Sequence, residues 1–280
     1  MLLHIRHLTE FHYARPIAGG KMKIRMTPSP DCGQDVQMRE LKLSGCTLCS
    51  SFRDVFGNQV ELVEVEGERQ DISFEMCADV ETRDLAGICG TDPQQSPAWA
   101  FKASTPKTNP GEAVGRIAAN FADDDPQNPE TLHRLSNHVR AAVTYRIGST
   151  STETTAEEAA LKGEGVCQDH AHIFISATRL LGLPARYVSG YLRMRDRIEQ
   201  EAMHAWAEVF IDDLGWTGFD VSNGIAPDES HVRIAVGRDY SDAAPVTGVV
   251  RGGGNETMKV AIGVSQISEV FPQNRSRQIK

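Results

Sequence analysis

Three residues of the kinds that cooperate in covalent catalysis lie far apart in this chain: Cys167, His204 and Asp220. A cysteine attacks carbonyl carbons as a thiolate, and a neighbouring histidine can take the thiol proton. A carboxylate that accepts a hydrogen bond from that histidine holds the ring so that its other nitrogen faces the sulfur. If the fold brings the three side chains together, they predict a nucleophilic triad.

The residues around Cys167 predict that it lies on the first turn of a helix. Gly163 and Gly165 free the backbone just before it, and a helical pattern runs from Cys167 to about Leu181, where Gly182 ends it. A helix start offers free N–H groups and the positive end of the helix dipole, and both favour a thiolate. Buried cysteines are also common at helix starts, so this position alone leaves a structural role open.

His204 and Asp220 are predicted to lie near the same end of two neighbouring strands. His204 begins a strand that continues to Ile211, and a second short strand ends at Asp220. The turn at residues 212–215 lets the two strands pair antiparallel. The carboxylate could then orient the imidazole while the other ring nitrogen faces the thiol.

The elements that must position these residues divide into two parts. The first hundred residues consist of short alternating runs separated by turns, which is typical of a β-sandwich. Residues 91–111 are rich in Pro, Ser, Thr and Gly and are interpreted as a linker, beyond which the periodicity becomes helical. We therefore predict an α+β chain with a sandwich domain at residues 1–105 and a catalytic domain at residues 106–280.

Composition excludes several functional classes. The 280 residues carry a net charge of −9 and no basic cluster, which argues against nucleic-acid partners and against anionic membranes. No apolar run approaches the roughly 20 residues of a membrane span, and the first residues lack an apolar signal segment. We expect a cytoplasmic protein whose six cysteines are mostly reduced, buried side chains.

Four segments carry a specific combination of motifs: Gly165-Val-Cys167-Gln-Asp-His-Ala-His172, Leu183-Pro-Ala-Arg-Tyr-Val-Ser-Gly-Tyr191, His204-Ala-Trp-Ala-Glu-Val209 and Gly215-Trp-Thr-Gly-Phe-Asp220. Together they resemble the bacterial branch of the transglutaminase-like superfamily, whose core is papain-like. The segment Asp54-Val-Phe-Gly-Asn58 resembles the β-sandwich module that such proteins often carry. One departure is Val221-Ser222-Asn223, where the family usually has a proline directly after the aspartate.

The resemblance implies a fold, an activity and three roles. A Cys-bearing helix would pack on an antiparallel sheet, with Cys167 as the nucleophile, His204 as the base and Asp220 as the orienting carboxylate. The reaction would be acyl transfer from a peptide or protein amide through a thioester, without a cofactor or a metal. The backbone N–H of Cys167 is the expected first donor to the oxyanion, and Tyr145 is a candidate for the second.

Two alternatives stay open, together with the possibility of a homo-oligomer. The chain could be a catalytically silent binding module with the same fold, or His170 and His172 could belong to a metallohydrolase. The metal site is disfavoured because Cys167 and these two histidines do not share one helix face. We instead expect Asp169 to pair with a cation such as Arg186, and His172 to pack between helix and sheet.

Overall fold

The computed structural model describes residues 1–65, 67–91 and 96–267. Within these ranges the chain is an α+β protein, mostly sheet, with five α-helices. The strands are β1 (Leu2–Ile24), β2 (Gln34–Ser44), β3 (Thr47–Arg53), β4 (Gln59–Val65), β5 (Arg69–Thr82), β6 (Ile88–Gly90), β7 (Thr144–Tyr145), β8 (Glu164–Gly165), β9 (Ala185–Leu192), β10 (Glu199–Gln200), β11 (His204–Ile211), β12 (Gly215–Phe219), β13 (His231–Gly237), β14 (Val246–Gly252) and β15 (Glu256–Gln266). The helices are α1 (Glu112–Ala119), α2 (Pro129–Ala142), α3 (Ala156–Lys162), α4 (Cys167–Leu180) and α5 (Tyr240–Ala243).

The N-terminal strands join one eight-stranded sheet around the long strand β1. Along its first half, β1 pairs with β5 and β15, and along its second half it pairs with β4 and β14. Its first side chains alternate between core and solvent, as Leu3, Ile5 and His7 are buried and His4 and Arg6 are more exposed. The alternating runs of the sequence thus correctly indicate that this part consists of strands.

Strand pairing links the two parts of the chain. The last described strands, β14 and β15, return to pair with β1, and β6 pairs with β12 in the second sheet. The interpreted linker, residues 91–111, lies partly outside the described residues. Its described part contains two short 3₁₀ helices, Ala98–Phe101 and Pro106–Thr108. The predicted domain boundary between residues 105 and 106 stays a prediction. Strand β6 lies before this boundary and pairs with a strand after it, whereas β14 and β15 lie after it and pair with a strand before it.

The second sheet is antiparallel throughout, in the order β13-β9-β11-β12-β6. Strands β9 and β11 have the bounds that the sequence predicts, and their residues are buried almost without exception. Helix α4 is buried along most of its length and contacts β9 and β11. The expected Cys-bearing helix on an antiparallel sheet is therefore confirmed.

One amide side chain and a disulfide hold the N-terminal sheet against the second sheet. Asn58 donates to the carbonyl of Val236 at 2.7 Å and accepts from its N–H at 2.7 Å. Cys32 forms a disulfide with Cys89, which differs from the expectation of reduced thiols. The two cysteines lie 57 residues apart in the sequence, and only the fold brings their Cα atoms to 4.6 Å. Among the helices of the described residues, none has the length and apolar character of a membrane span.

Candidate active site

The backbone before Cys167 explains why a helix begins at this residue. Gly163 ends α3 in the left-handed conformation, with φ of 69°, which is unfavourable for residues that carry a Cβ. A Cβ on Gly165 would lie 2.7 Å from the Cβ of Asp169, so this position also needs glycine. The Asp169 carboxylate accepts from the Val166 N–H at 2.7 Å and so caps the new helix. Cys167 is the first helical residue, as predicted.

His204 and Asp220 lie at adjacent strand ends, as the turn between β11 and β12 predicts. His204 is the first residue of β11 and Asp220 directly follows β12. The His204 Nε2 donates to Oδ2 of Asp220 at 2.7 Å. Both side chains are buried, and Asp220 has no solvent exposure. Because water is excluded, this pair interacts much more strongly than a surface pair would.

The third predicted residue, Cys167, reaches the same histidine. The Cys167 side chain lies close enough to the His204 ring to favour its charged form. Since Nε2 is occupied by Asp220, Nδ1 is the ring nitrogen left for the sulfur. Burial opposes a charge on the ring, but the Asp220 carboxylate outweighs it and, with Cys167, raises the pKa of His204 to about 10. The structure therefore places a hydrogen-bonded pair, His204 and Asp220, beside Cys167.

Asp220 also binds two residues that sequence reasoning missed, Asn223 and His231. The Asn223 Nδ2 donates to Oδ2 at 2.7 Å, and its backbone N–H donates to Oδ1 at 3.2 Å. The His231 Nε2 donates to Oδ2 at 3.1 Å. Burial opposes ionisation of Asp220, but His204 and His231 hold its pKa far below the ordinary value. Asn223 follows three residues after Asp220 in a turn, which is a local signal that could have revealed it.

The other polar residues of α4 do not join the triad of Cys167, His204 and Asp220. The Asp169 carboxylate accepts hydrogen bonds from the Thr150 hydroxyl and from the Val166 N–H, so its predicted pairing with Arg186 is wrong. Arg186 instead faces Glu208, its direct partner on the neighbouring strand, at 2.6 Å. A carboxylate on the adjacent strand is reached at lower conformational cost than one on a helix that is already capping its own N-terminus.

The two histidines of α4 serve the packing of the core. His172 is fully buried and lies 5.1 Å from the Tyr187 ring, which confirms its predicted place between helix and sheet. His170 is held between the Val143 carbonyl and the Ser222 hydroxyl.

Two clusters of described residues have the donor types and proximity that a metal would need: Cys32, Cys89 and Glu208, and His204, Asp220 and His231. Neither cluster contains His170 or His172. The first cluster has its two sulfurs in a disulfide, so it offers no thiolates. In the second, Oδ2 of Asp220 already accepts hydrogen bonds from both histidines and from Asn223. Neither donor set fits a metal as it stands.

Tyr145, the candidate second oxyanion donor, lies at the edge of the site. It is about half exposed, and its ring centroid lies 6.0 Å from that of His170. Burial, followed by the charge of Cys167, raises the pKa of Tyr145 to about 12. The hydroxyl therefore keeps its proton at neutral pH and is able to donate a hydrogen bond.

Two family models match this chain, one in each of its two parts. The model of the transglutaminase-like superfamily matches residues 115–221, which include all three members of the triad. The model of the bacterial transglutaminase-like N-terminal region matches residues 3–81. Residues 115–221 therefore belong to the transglutaminase-like superfamily, and residues 3–81 match the N-terminal region of its bacterial members.

Individual relatives agree with this assignment. An uncharacterized protein of Mycobacterium leprae is 26% identical over 95% of this chain and 99% of its own length. An uncharacterized protein of Mycobacterium tuberculosis is 28% identical over 88% of this chain and 86% of its own length. The crystal structure of a candidate cysteine protease from Cytophaga hutchinsonii superposes with a TM-score of 0.75 and 20% identity, covering 95% of this chain and 91% of its own. At that identity the superposition shows a shared fold.

Proposed function

We propose that this protein is a cysteine-dependent enzyme that cleaves or transfers acyl groups at amide or peptide bonds. Cys167 is the nucleophile, His204 the general acid and base, and Asp220 the carboxylate that orients the histidine. The observation that supports the proposal is the buried hydrogen bond of 2.7 Å between His204 and Asp220, next to which Cys167 favours the charged form of the His204 ring. Arrangements of this kind activate nucleophiles in unrelated folds, because the chemistry depends on geometry rather than on chain order.

The first half of the reaction forms a thioester. The charged His204 ring stabilises the negative charge of a neighbouring thiolate, and the sulfur attacks the carbonyl carbon. The oxyanion that develops accepts a hydrogen bond from the Cys167 backbone N–H, which has no intrahelical acceptor at the first position of α4. His204 then donates its proton to the leaving amine, and the C–N bond breaks.

The second half of the reaction regenerates the thiol. His204, now neutral, takes a proton from water or from an acceptor amine, which attacks the thioester carbon. Water gives hydrolysis, and an amine gives a new amide bond. Asp220 stays ionised throughout, and it stabilises the imidazolium each time this forms. The proposed substrate is a peptide or protein amide, and no step needs a cofactor or a metal.

The deciding experiment is an amide and peptide substrate screen with the wild type, Cys167→Ala and the matched control Cys77→Ala. Loss of the nucleophile is expected to lower turnover by about 10³-fold or more, whereas Cys77→Ala keeps wild-type turnover. Wild-type turnover by Cys167→Ala would refute the proposed nucleophile. Activity that disappears in excess chelator would point to the metallohydrolase instead.

Alkylation with iodoacetamide distinguishes the enzyme from the silent binding module. An activated Cys167 is expected to react faster than Cys77, whose partial burial raises its pKa. His204→Ala should abolish this difference in rate. Equal labelling of both thiols in the wild type, combined with no turnover in the screen, would favour the binding module.

We also propose that the protein is cytoplasmic and that it can form a homo-oligomer. Both proposals can be tested directly. Disulfides are rare in reducing cytosol, so the Cys32–Cys89 bond makes the compartment testable. Cell fractionation with thiol trapping would show where the protein resides and whether this bond is formed there. Light scattering of the purified chain would give its oligomeric state.

A further inference from the structure

Asp220 is shared between two buried histidines on different strands. His204 approaches Oδ2 from β11 at 2.7 Å, and His231 approaches the same oxygen from β13 at 3.1 Å. The two rings do not stack, because their centroids lie 6.1 Å apart at an angle of 52°. The described chain therefore gives the proposed triad a fourth side chain that contacts neither the sulfur nor the substrate side of His204.

The second nitrogen of His231 is held by Asp228. Its Nδ1 lies 3.0 Å from the Asp228 Oδ1 and 3.1 Å from the Asp228 backbone N. A charged ring donates from Nδ1 to the carboxylate, and a neutral ring accepts from the N–H. In both states the remaining proton sits on Nε2, where it points to Asp220. The contact with Asp228 thus makes His231 a permanent donor to Asp220.

The surroundings of His231 prevent the ring from turning away. The ring is almost completely buried, and the Trp206 ring packs edge-on against it at 5.5 Å. On another side lies a cavity of about 40 Å³, near the size of one water molecule. The ring lines this cavity together with Asp228, Arg233 and Glu208, and the Asp220 carboxylate itself has no solvent exposure.

We propose that His231 is a positioning residue of the triad: its Nε2–H fixes the Asp220 carboxylate so that this carboxylate can orient His204. The inference rests on the proposed function and deepens it. A carboxylate that accepts only from His204 could rotate about its Cβ–Cγ bond and release the ring. The fixed donor on β13 removes that freedom, and Asn223 assists from the turn. His231 acts only through Asp220 and takes no part in proton transfer.

Two amide substitutions separate this role from a merely structural one. In His231→Gln the side-chain amide reaches the place of Nε2 and keeps a donor to Asp220. In His231→Asn the shorter amide reaches only the place of Nδ1, so it keeps the contact with Asp228 and loses the one with Asp220. Both replacements are neutral and polar and differ by one methylene, which makes each the control for the other. His133→Gln on the surface of α2 controls for loss of a histidine.

The measurements are kcat and KM on the best substrate of the amide screen, and the rate of Cys167 alkylation by iodoacetamide. Losing a hydrogen bond to a charged group is expected to lower kcat and the alkylation rate of His231→Asn about tenfold. The loss stays near this value because Asn223 still holds Asp220. KM should change less than about twofold, since no substrate contact is removed. His231→Gln should recover both rates to within about threefold of wild type.

Two results would overturn the inference. One is wild-type alkylation and turnover in His231→Asn. The other is a His231→Gln variant as slow as His231→Asn while both unfold at the wild-type urea concentration. If one variant does not fold, the alkylation rate of the other variant still tests the inference, because the inference predicts a separate rate for each variant. The proposed function has a separate test, since its failure would appear as full turnover in Cys167→Ala, whereas the alkylation comparison needs no substrate.

Discussion

Replacement of Glu208 by Gln tests the buried charges that support the catalytic strand. Glu208 lies on β11 four residues after His204, and only 1% of it is exposed. Its carboxylate accepts from Arg186 at 2.6 Å and from Arg233 at 3.1 Å. The Arg186 guanidinium also lies 3.9 Å from the ring centroid of Trp216. The substitution keeps the shape of the side chain and removes its charge.

The expected loss of stability depends on which carboxylates the two arginines still contact after the substitution. Arg233 keeps an ion pair with Asp31 at 2.7 Å, so its charge remains compensated. Arg186 loses the carboxylate that both its Nε and Nη2 contact. Breaking a buried pair from one side costs about 3–5 kcal/mol. Since the Gln oxygen can still accept one hydrogen bond, we expect the lower end, a loss of about 3 kcal/mol in the free energy of unfolding.

The loss should depend on pH in a defined direction. Burial opposes ionisation of Glu208, but Arg186 and Arg233 outweigh it and hold its pKa below the ordinary value of 4.5. A carboxylate whose pKa is lowered by folding stabilises the protein above its unfolded pKa, and this contribution disappears as pH falls through the folded value. The difference between wild type and Glu208→Gln should therefore be complete above about pH 5 and shrink in more acidic solution.

Urea unfolding followed by tryptophan fluorescence measures this difference at about pH 7 and at several values below about pH 4.5. The control is Glu112→Gln, which removes an exposed pair with Arg116 and should change stability by less than about 0.5 kcal/mol. A Glu208→Gln variant that matches the control at neutral pH would refute the reasoning. So would a difference from wild type that grows on acidification.

Three further outcomes are expected. Cys32→Ser should lower stability by about 4 kcal/mol for a 57-residue loop, and a reductant should bring the wild type to the same level; equal stabilities without reductant would contradict this. Gly190→Ala should lower the free energy of unfolding by about 1–3 kcal/mol, because the new Cβ would lie 2.3 Å from the Val232 carbonyl oxygen. The control is Gly115→Ala in α1, where the new Cβ meets no atom within 4 Å and the change should be neutral or stabilising. Asp220→Asn should lower kcat by about 10³–10⁴-fold, and unchanged turnover in a folded variant would remove Asp220 from the mechanism.

The local sequence predicts most of the elements that hold the site. The local sequence predicts β9 and β11 with their observed bounds, and the glycine pattern predicts that a helix begins at Cys167. These features depend on backbone propensities, side-chain period and turn chemistry within a few residues. The sequence also predicts that His204 and Asp220 meet, because a short turn joins β11 and β12 and leaves little choice of pairing.

Tertiary structure alone decides the contacts that join distant parts of the chain. Asp169 and Glu208 are equally suitable partners for Arg186 by residue type, and only the pairing of β9 with β11 selects Glu208. The Cys32–Cys89 disulfide and the approach of His231 to Asp220 likewise require strand positions that no local pattern specifies. The physical reason is that propensity acts over a few residues, whereas sheet order and register are set by burying the whole apolar surface at once.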